Sequence, residues 1–281
     1  MSLELAVCIS YLTNRKLVLT PEYKMYLLEG HSSMESFFDT SNLGVISISF
    51  NDFCKEKGLD TNYESVKAVS KVLDYDAVRH VINFEKIPVP NKFSKYRPIL
   101  NKEDLYTDEE YLFLESNLLG VTHQTLFTSL DIEIKKLIAK YVHYRTDIFD
   151  LAWQFINKLG DKEYYSIHIR RNDFQYKELF IPCEQILENI KGIIPQGSKL
   201  YIATDHRDKE FFKPLSEHYL IFFYEDIKKE ISIFTEFDIN WVPIIEQFIC
   251  TRGIKFIGNS HSTLSSYIYR MRGYMSDIED K

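Results

Sequence analysis

Three ionisable types, His, Arg and Asp, fall within six residues in His168-Ile169-Arg170-Arg171-Asn172-Asp173-Phe174, which overlaps the end of an apolar, β-prone run from Tyr164 to Ile169. Side chains alternate along an extended strand, so His168 and Arg170 fall on one face and Arg171 on the other. One arginine can then meet a ligand while the other braces the loop. A guanidinium stays charged and makes two parallel hydrogen bonds to anionic oxygens, chemistry that suits a diphosphate. The same residues also fit a plain surface ion pair between Arg171 and Asp173, worth well under ~1 kcal/mol, and composition alone leaves both readings open.

Three further places carry residues of interest. Phe256-Ile257-Gly258-Asn259-Ser260-His261-Ser262-Thr263-Leu264-Ser265 runs into a segment with Tyr267, Ile268 and Met271 at helical spacing. A strand, a glycine and then hydroxyl residues opening a helix is an arrangement that cradles phosphate, because unpaired backbone N–H groups and the positive end of the helix dipole face the ligand. Serines that only cap the helix are the plainer reading, and the two are compatible. Ala203-Thr204-Asp205 follows a second apolar run; its spacing favours a helix N-cap ahead of Lys209 to Ser216. Glu246 sits just off the apolar face made by Trp241, Ile244, Ile245, Phe248 and Ile249. A carboxylate can accept the N1–H and amino group of a guanine edge together, although a lone helical glutamate is more often solvated.

These residues need elements to position them. Tyr164–Ile169, Leu200–Ala203, Tyr219–Tyr224 and Lys255–Ile257 read as strands with helical segments between them, which implies a parallel, doubly wound sheet. Ligands in such sheets bind beyond the carboxyl ends of the strands, where the residues above fall. Ahead of this half, Ile148, Leu151, Ala152, Phe155 and Leu159 keep helical spacing, with Thr146 or Asp147 as cap and Gly160 as stop. The chain opens on a helix over residues 2–13, with Leu5, Ala6, Ile9 and Leu12 on one face, then a β-prone run from Lys16 to Thr20. An α/β fold normally begins with a strand, so this opening predicts a missing first strand and loop. Ile87-Pro-Val-Pro-Asn91 reads as a stiff connector.

A length of 281 residues suggests two α/β domains, and 45% hydrophobic with 27% charged residues is ordinary for a packed protein. A net charge of −7, with basic residues interspersed among acids, argues against nucleic-acid binding. The sequence shows neither a run of 18 apolar residues nor a signal-peptide pattern. Cys8, Cys54, Cys183 and Cys250 form neither a CxxC pair nor a His-flanked cluster, which speaks against zinc. Their even number permits disulfides, while Cys8 and Cys250 sit in apolar helical patterns that suit buried free thiols.

Taken together, the motifs resemble the GDP-fucose protein O-fucosyltransferase family, which is related to the α1,6-fucosyltransferases. The resemblance rests on His168–Phe174, Ala203–Asp205, Glu246-Gln-Phe-Ile-Cys250, Phe256–Ser265 and Arg270-Met-Arg-Gly-Tyr274 in that order, and more loosely on Asn14–Thr20 and Glu35–Asp39. It implies a GT-B type α/β fold of two Rossmann-like domains facing a cleft, placed here at 1–155 (acceptor side, incomplete) and 156–281 (GDP-sugar binding). It implies fucose transfer from GDP-fucose to an acceptor hydroxyl on a protein or glycan, inverting and metal-independent, with no cofactor and, in a eukaryote, in the ER or Golgi lumen. Arg170 would stabilise the departing GDP with Arg171 supporting it. His168 and Glu246 would hold guanine, Ser262, Thr263 and Leu264 the phosphates or nucleoside, and Asp173 and Asp205 complete the donor-binding set. A non-catalytic GDP-sugar-binding relative, an inactive fragment and a nucleotide-sugar hydrolase are the competing readings. Asn172 stands where the family has glycine, Glu246 where it commonly has aspartate and Leu264 where it has phenylalanine. The family's glycine-rich turn and Asn-Asn-Gln-Arg stretch, expected before Ser2–Ala6, have no counterpart.

Overall fold

The computed structural model describes residues 2–19, 21, 28–73, 82–87, 95–100, 108, 110–114, 132–172, 177, 180–231, 237–259 and 262–279. Asp173, Phe174, Ser260, His261 and the Pro88–Asn91 connector lie outside them. The chain forms two compact units, Met1–Arg145 and Thr146–Lys281. The division falls at 145/146, at the start of the helix inside which the sequence expectation drew its 155/156 boundary.

In the first unit, α1 (Ser2–Leu12) leads to β1 (Leu17–Leu19), which pairs in parallel with β3 (Ser47–Ser49). Leu3, Val7 and Leu43 pack with Tyr141 of α4 (Ile132–Tyr141). The face of α1 is broader than its spacing predicts: Ile9 is buried as expected and Ala6 partly so, but Leu3, Val7 and Cys8 are buried too. The side chains of Leu5 and Leu12 lie outside the described residues. A second cluster sets Phe50, Phe53 and Cys54 of α2 (Phe50–Lys57) against Val66 of α3 (Tyr63–Ala68). Short ladders complete the unit. β2 (Phe38–Asp39) runs antiparallel to β8 (His143–Tyr144), β4 (Lys71–Leu73) parallel to β7 (Leu112–Leu114), and β5 (Ile82–Ile87) antiparallel to β6 (Lys95–Leu100).

The second unit carries a four-stranded parallel sheet in the order β11-β10-β9-β12, built from Leu220–Phe222, Lys199–Thr204, Tyr165–Ile169 and Phe256–Ile257. Alternation along the strands divides its two faces. Ile167, Ile169, Leu200 and Ile202 meet Cys183, Ile186, Leu187 and Ile190 of α6 (Cys183–Ile190), and Leu215 of α7 (Lys213–Ser216). Ser166, His168, Tyr201 and Ala203 are buried on the opposite face. There the Ser166 hydroxyl donates to Cys250 O at 3.1 Å, in α9 (Val242–Arg252). α5 (Thr146–Leu159) buries Ile148, Leu151, Ala152, Phe155 and Leu159, the predicted stripe, and stops at Gly160, whose φ of +87° is a left-handed cap. α8 (Tyr224–Glu230) adds Tyr224, whose ring stacks on Phe155. All four cysteines are buried and free.

One recognised motif serves the fold. Arg272 of α10 (Thr263–Glu279) donates from Nη1 to Thr251 O at 2.7 Å and Gly253 O at 2.6 Å, and from Nη2 to Ile254 O at 3.0 Å. These carbonyls close α9 and open the turn into β12, where a helix end leaves acceptors without intrahelical donors. Removing the guanidinium strands them, so Arg272→Ala is expected to cost about 2–4 kcal/mol. In thermal melts the second unit's transition then falls by roughly 5–15 °C.

Candidate functional site: an arginine at the switch point of the sheet

The chain leaves β9 through α6 on one face to reach β10, and returns through α9 on the other face to β12. The crossovers therefore part between β9 and β12, and the crevice beyond the carboxyl ends of these strands is where open α/β sheets bind ligands. Arg170 stands at that point, directly after β9. Among the described residues, no hydrogen bond or ion pair holds its guanidinium. It lines a cleft of about 250 Å3 together with His168, Arg171, Phe180, Gly258 and Asn259, over an apolar floor that includes Ile167, Ile169 and Ile257.

The backbone on both sides of Arg170 is clamped. The Thr204 hydroxyl donates to Ile169 O at 2.6 Å. Asp205 accepts Arg171 N–H at 2.7 Å on Oδ1 and Asn172 N–H at 3.0 Å on Oδ2, and its own carbonyl accepts from the Asn172 side chain. The N-cap reading of Ala203-Thr204-Asp205 is thereby corrected: Asp208 caps the following 3-10 turn, and Asp205 turns back to the β9 loop. Asn172 does not adopt a positive φ either; where the family's glycine stands, this chain has a side chain that ties the loop down. Arg171 packs against two aromatic rings. Its guanidinium lies 4.9 Å from the centroid of Phe180 and 4.2 Å from that of Phe211, and Nη1 donates to Ile181 O at 3.0 Å. Arg171 is thus a brace, and it shares the lining of the cleft with Arg170.

The opposite wall comes from the turn after β12. His168 Nδ1 and Ser265 Oγ are 2.8 Å apart and both groups are buried, which joins the end of β9 to the first turn of α10. Ser262 is buried and its hydroxyl meets Ser265 N at 3.5 Å as a cap, while Thr263 and Leu264 are partly exposed. Gly258 permits this approach, since a Cβ there would lie 2.5 Å from Ser265 Oγ and 2.7 Å from Phe256 Cζ. Burial, reinforced by Arg170 and opposed by Asp205, pushes the His168 imidazole down to about 4. It is neutral at physiological pH and offers a hydrogen bond without charge.

Glu246 lies outside the wall of the cleft, partly exposed on α9. Tyr201, fully buried in β10, donates to its Oε1 at 3.1 Å. Burial is the main reason the carboxyl is raised to about 8; Asp205 and Glu225 add to the rise, and Tyr201 and Lys209 oppose it. Tyr201, Ser265 and the Phe180–Phe211 pair are absent from the sequence-derived site. Tyr201 alone had a usable signal, a phenol inside an apolar strand that must find a partner when buried. Among the described residues no group of three or more His, Cys, Asp or Glu is placed to hold a metal ion.

Solved structures share this α/β framework with its parallel doubly wound sheet. POFUT1 in complex with GDP superposes with a TM-score of 0.52 at 14% identity, covering 97% of this chain and 90% of that one. NodZ alpha-1,6-fucosyltransferase co-crystallized with GDP gives 0.56 at 15%, covering 95% and 86%, and the fucosyltransferase NodZ from Bradyrhizobium gives 0.55 at 14%, with the same coverage. The fold is accordingly that of the GT-B type fucosyltransferases. The model of the family described as GDP-fucose protein O-fucosyltransferase matches residues 1–275, and the chain belongs to that family. GDP-fucose protein O-fucosyltransferase 2 of Homo sapiens and that of Pan troglodytes are each 28% identical over 39% of this chain. The match spans 26% of their length, about a quarter. No helix of the described residues is long and apolar enough to cross a membrane.

Proposed function

We propose that this chain transfers fucose from GDP-fucose to a serine or threonine hydroxyl of a protein, with inversion at the sugar carbon and without a metal ion. The observation that carries this reading is the Arg170 guanidinium, unpaired among the described residues and rigidly presented at the β9–β12 switch point. As the glycosidic bond breaks, negative charge builds on the departing diphosphate, and a fixed cation already aimed at it lowers the barrier without reorganising. The N-terminus of α10, with Ser262, Thr263 and Leu264, offers N–H donors to the same phosphates. Neutral His168 adds hydrogen bonding and leaves the positive charge to Arg170. Glu246 reads the N1–H and amino edge of guanine, so the base is chosen by a carboxylate and the diphosphate by an arginine. A protein acceptor is supported by the family's description, and attack by its hydroxyl on the face opposite GDP gives inversion. Metal independence follows from the guanidinium doing the work of a divalent cation.

Titration calorimetry of the full chain tests the donor side. GDP is expected to bind at least about ten-fold more tightly than ADP or UDP, because a site built to pair polar edges leaves its own groups unpaired with the wrong base. Equal affinities for the three nucleotides would remove the guanine assignment. Incubation with labelled GDP-fucose and candidate acceptor proteins separates transfer from hydrolysis by whether label ends on protein or as free sugar. Chelators are expected to leave the rate unchanged; a strict requirement for manganese would overturn the metal-free scheme.

A further inference from the structure

We propose that Tyr201 is a specificity-determining positioning residue: its buried hydroxyl holds the Glu246 carboxyl in the orientation that reads guanine, and so sets the preference for guanosine over other nucleoside diphosphates. The inference rests on the assignment of Glu246 to the base in the preceding section, and its test separates the two.

Tyr201 cannot itself touch a ligand, because it has no exposed surface in the middle of β10. Its hydroxyl donates outward to Glu246 Oε1 at 3.1 Å, from strand to helix across 45 residues of sequence. Glu246 is partly exposed, and its carboxyl meets the buried phenol. A glutamate has three side-chain torsions to lose, and a fixed donor at Oε1 removes most of that freedom before the base arrives. Tyr224 of α8 is buried with a hydroxyl that makes no hydrogen bond among the described residues, and burial first, then the Glu246 charge, raises that phenol. Glu225 and Asp205 disfavour the carboxylate, whereas Lys209 and the Tyr201 hydroxyl favour it. A guanine edge is read by the carboxylate, which accepts two N–H groups; the protonated acid presents a donor to a donor. The phenol therefore both aims the carboxyl and biases it towards the form that reads the base.

The test is the ratio of GDP to ADP affinity as a function of pH, since ionisation of the diphosphate cancels in the ratio. In the wild type the ratio is expected to climb between about pH 7 and 9, following Glu246, whose carboxyl is raised to about 8. In Tyr201→Phe the ratio at pH 7.5 falls by about ten-fold, the loss of one hydrogen bond to a charged group, and the climb moves to higher pH. ADP affinity alone stays unchanged, which a general packing defect would not spare. In the double variant with Glu246→Gln, Tyr201→Phe causes no additional loss, because it acts through the carboxyl. Should Tyr201→Phe lose its cooperative melt, Tyr201→3-fluorotyrosine decides: it keeps the ring, makes the hydroxyl a stronger donor and moves the climb to lower pH. A wild type that does not distinguish GDP from ADP removes the underlying base assignment. A wild type that distinguishes them through Glu246, with an unchanged ratio and profile in the Tyr201 variants, overturns this inference alone.

Discussion

Arg170→Ala is expected to lower kcat/KM for fucosyl transfer by at least about 10³-fold, roughly 4 kcal/mol, while leaving the melting curve of the protein where it was. Removing one preorganised donor from a site of developing charge ordinarily costs about 10²- to 10³-fold, and here the donor carries the full charge. The fold should not notice, because among the described residues this guanidinium makes no hydrogen bond or ion pair and only lines the cleft. Arg170→Lys should recover a small part of the rate, as an ammonium supplies charge without the planar fork. The measurement pairs initial rates on labelled GDP-fucose with circular-dichroism melts. A variant that loses its cooperative transition would make Arg170 a structural residue, and a rate within a few-fold of wild type would remove it from the reaction.

Asp205→Ala should lower kcat/KM by about 10²-fold for a different reason. Its two carboxylate oxygens hold Arg171 N–H at 2.7 Å and Asn172 N–H at 3.0 Å, so its loss frees the loop that begins at Arg170. Hydrogen bonds to a charged group contribute about 1.5–3 kcal/mol each, and a misplacement of about 1 Å at a reacting centre costs on the order of 10²-fold. Stability should fall by about 2–3 kcal/mol in the same variant. Asp205→Asn, which keeps one acceptor oxygen, should fall between. Denaturant melts and transfer rates measured on the same samples distinguish the cases. If stability drops and transfer does not, the clamp on the β9 loop has no bearing on Arg170.

The four strands of the second unit were legible in the sequence to within a residue or two, because each is a short apolar run closed by turn residues, and the stripe of α5 was legible through its 3.6-residue period. Period-two alternation placed Arg170 and Arg171 on opposite faces of the strand, and the family resemblance, not alternation, chose between them. The first unit was read poorly for an equally physical reason. There α1 is apolar around most of its circumference, so periodicity could not select the face that Leu3, Val7 and Cys8 bury. Asn172 shows the limit of substitution logic. It stands where the family has glycine, yet its φ is ordinary and its side chain is tied to Asp205 O.

Local sequence thus determined which residues stand at strand ends, which face of a strand each takes and where a helix begins after Gly258. It did not determine the partners of the buried polar groups. His168 and Ser265 are 97 residues apart, Arg171 and Asp205 are 34 apart, and Tyr201 and Glu246 are 45 apart. Each pair meets because β9 lies between β10 and β12 and because α9 and α10 cover the same face of the sheet. Face and periodicity are properties of a few consecutive residues; strand order and helix placement are settled by how the whole unit buries its apolar surface, and only then is a carboxylate given its hydroxyl and an arginine left without one.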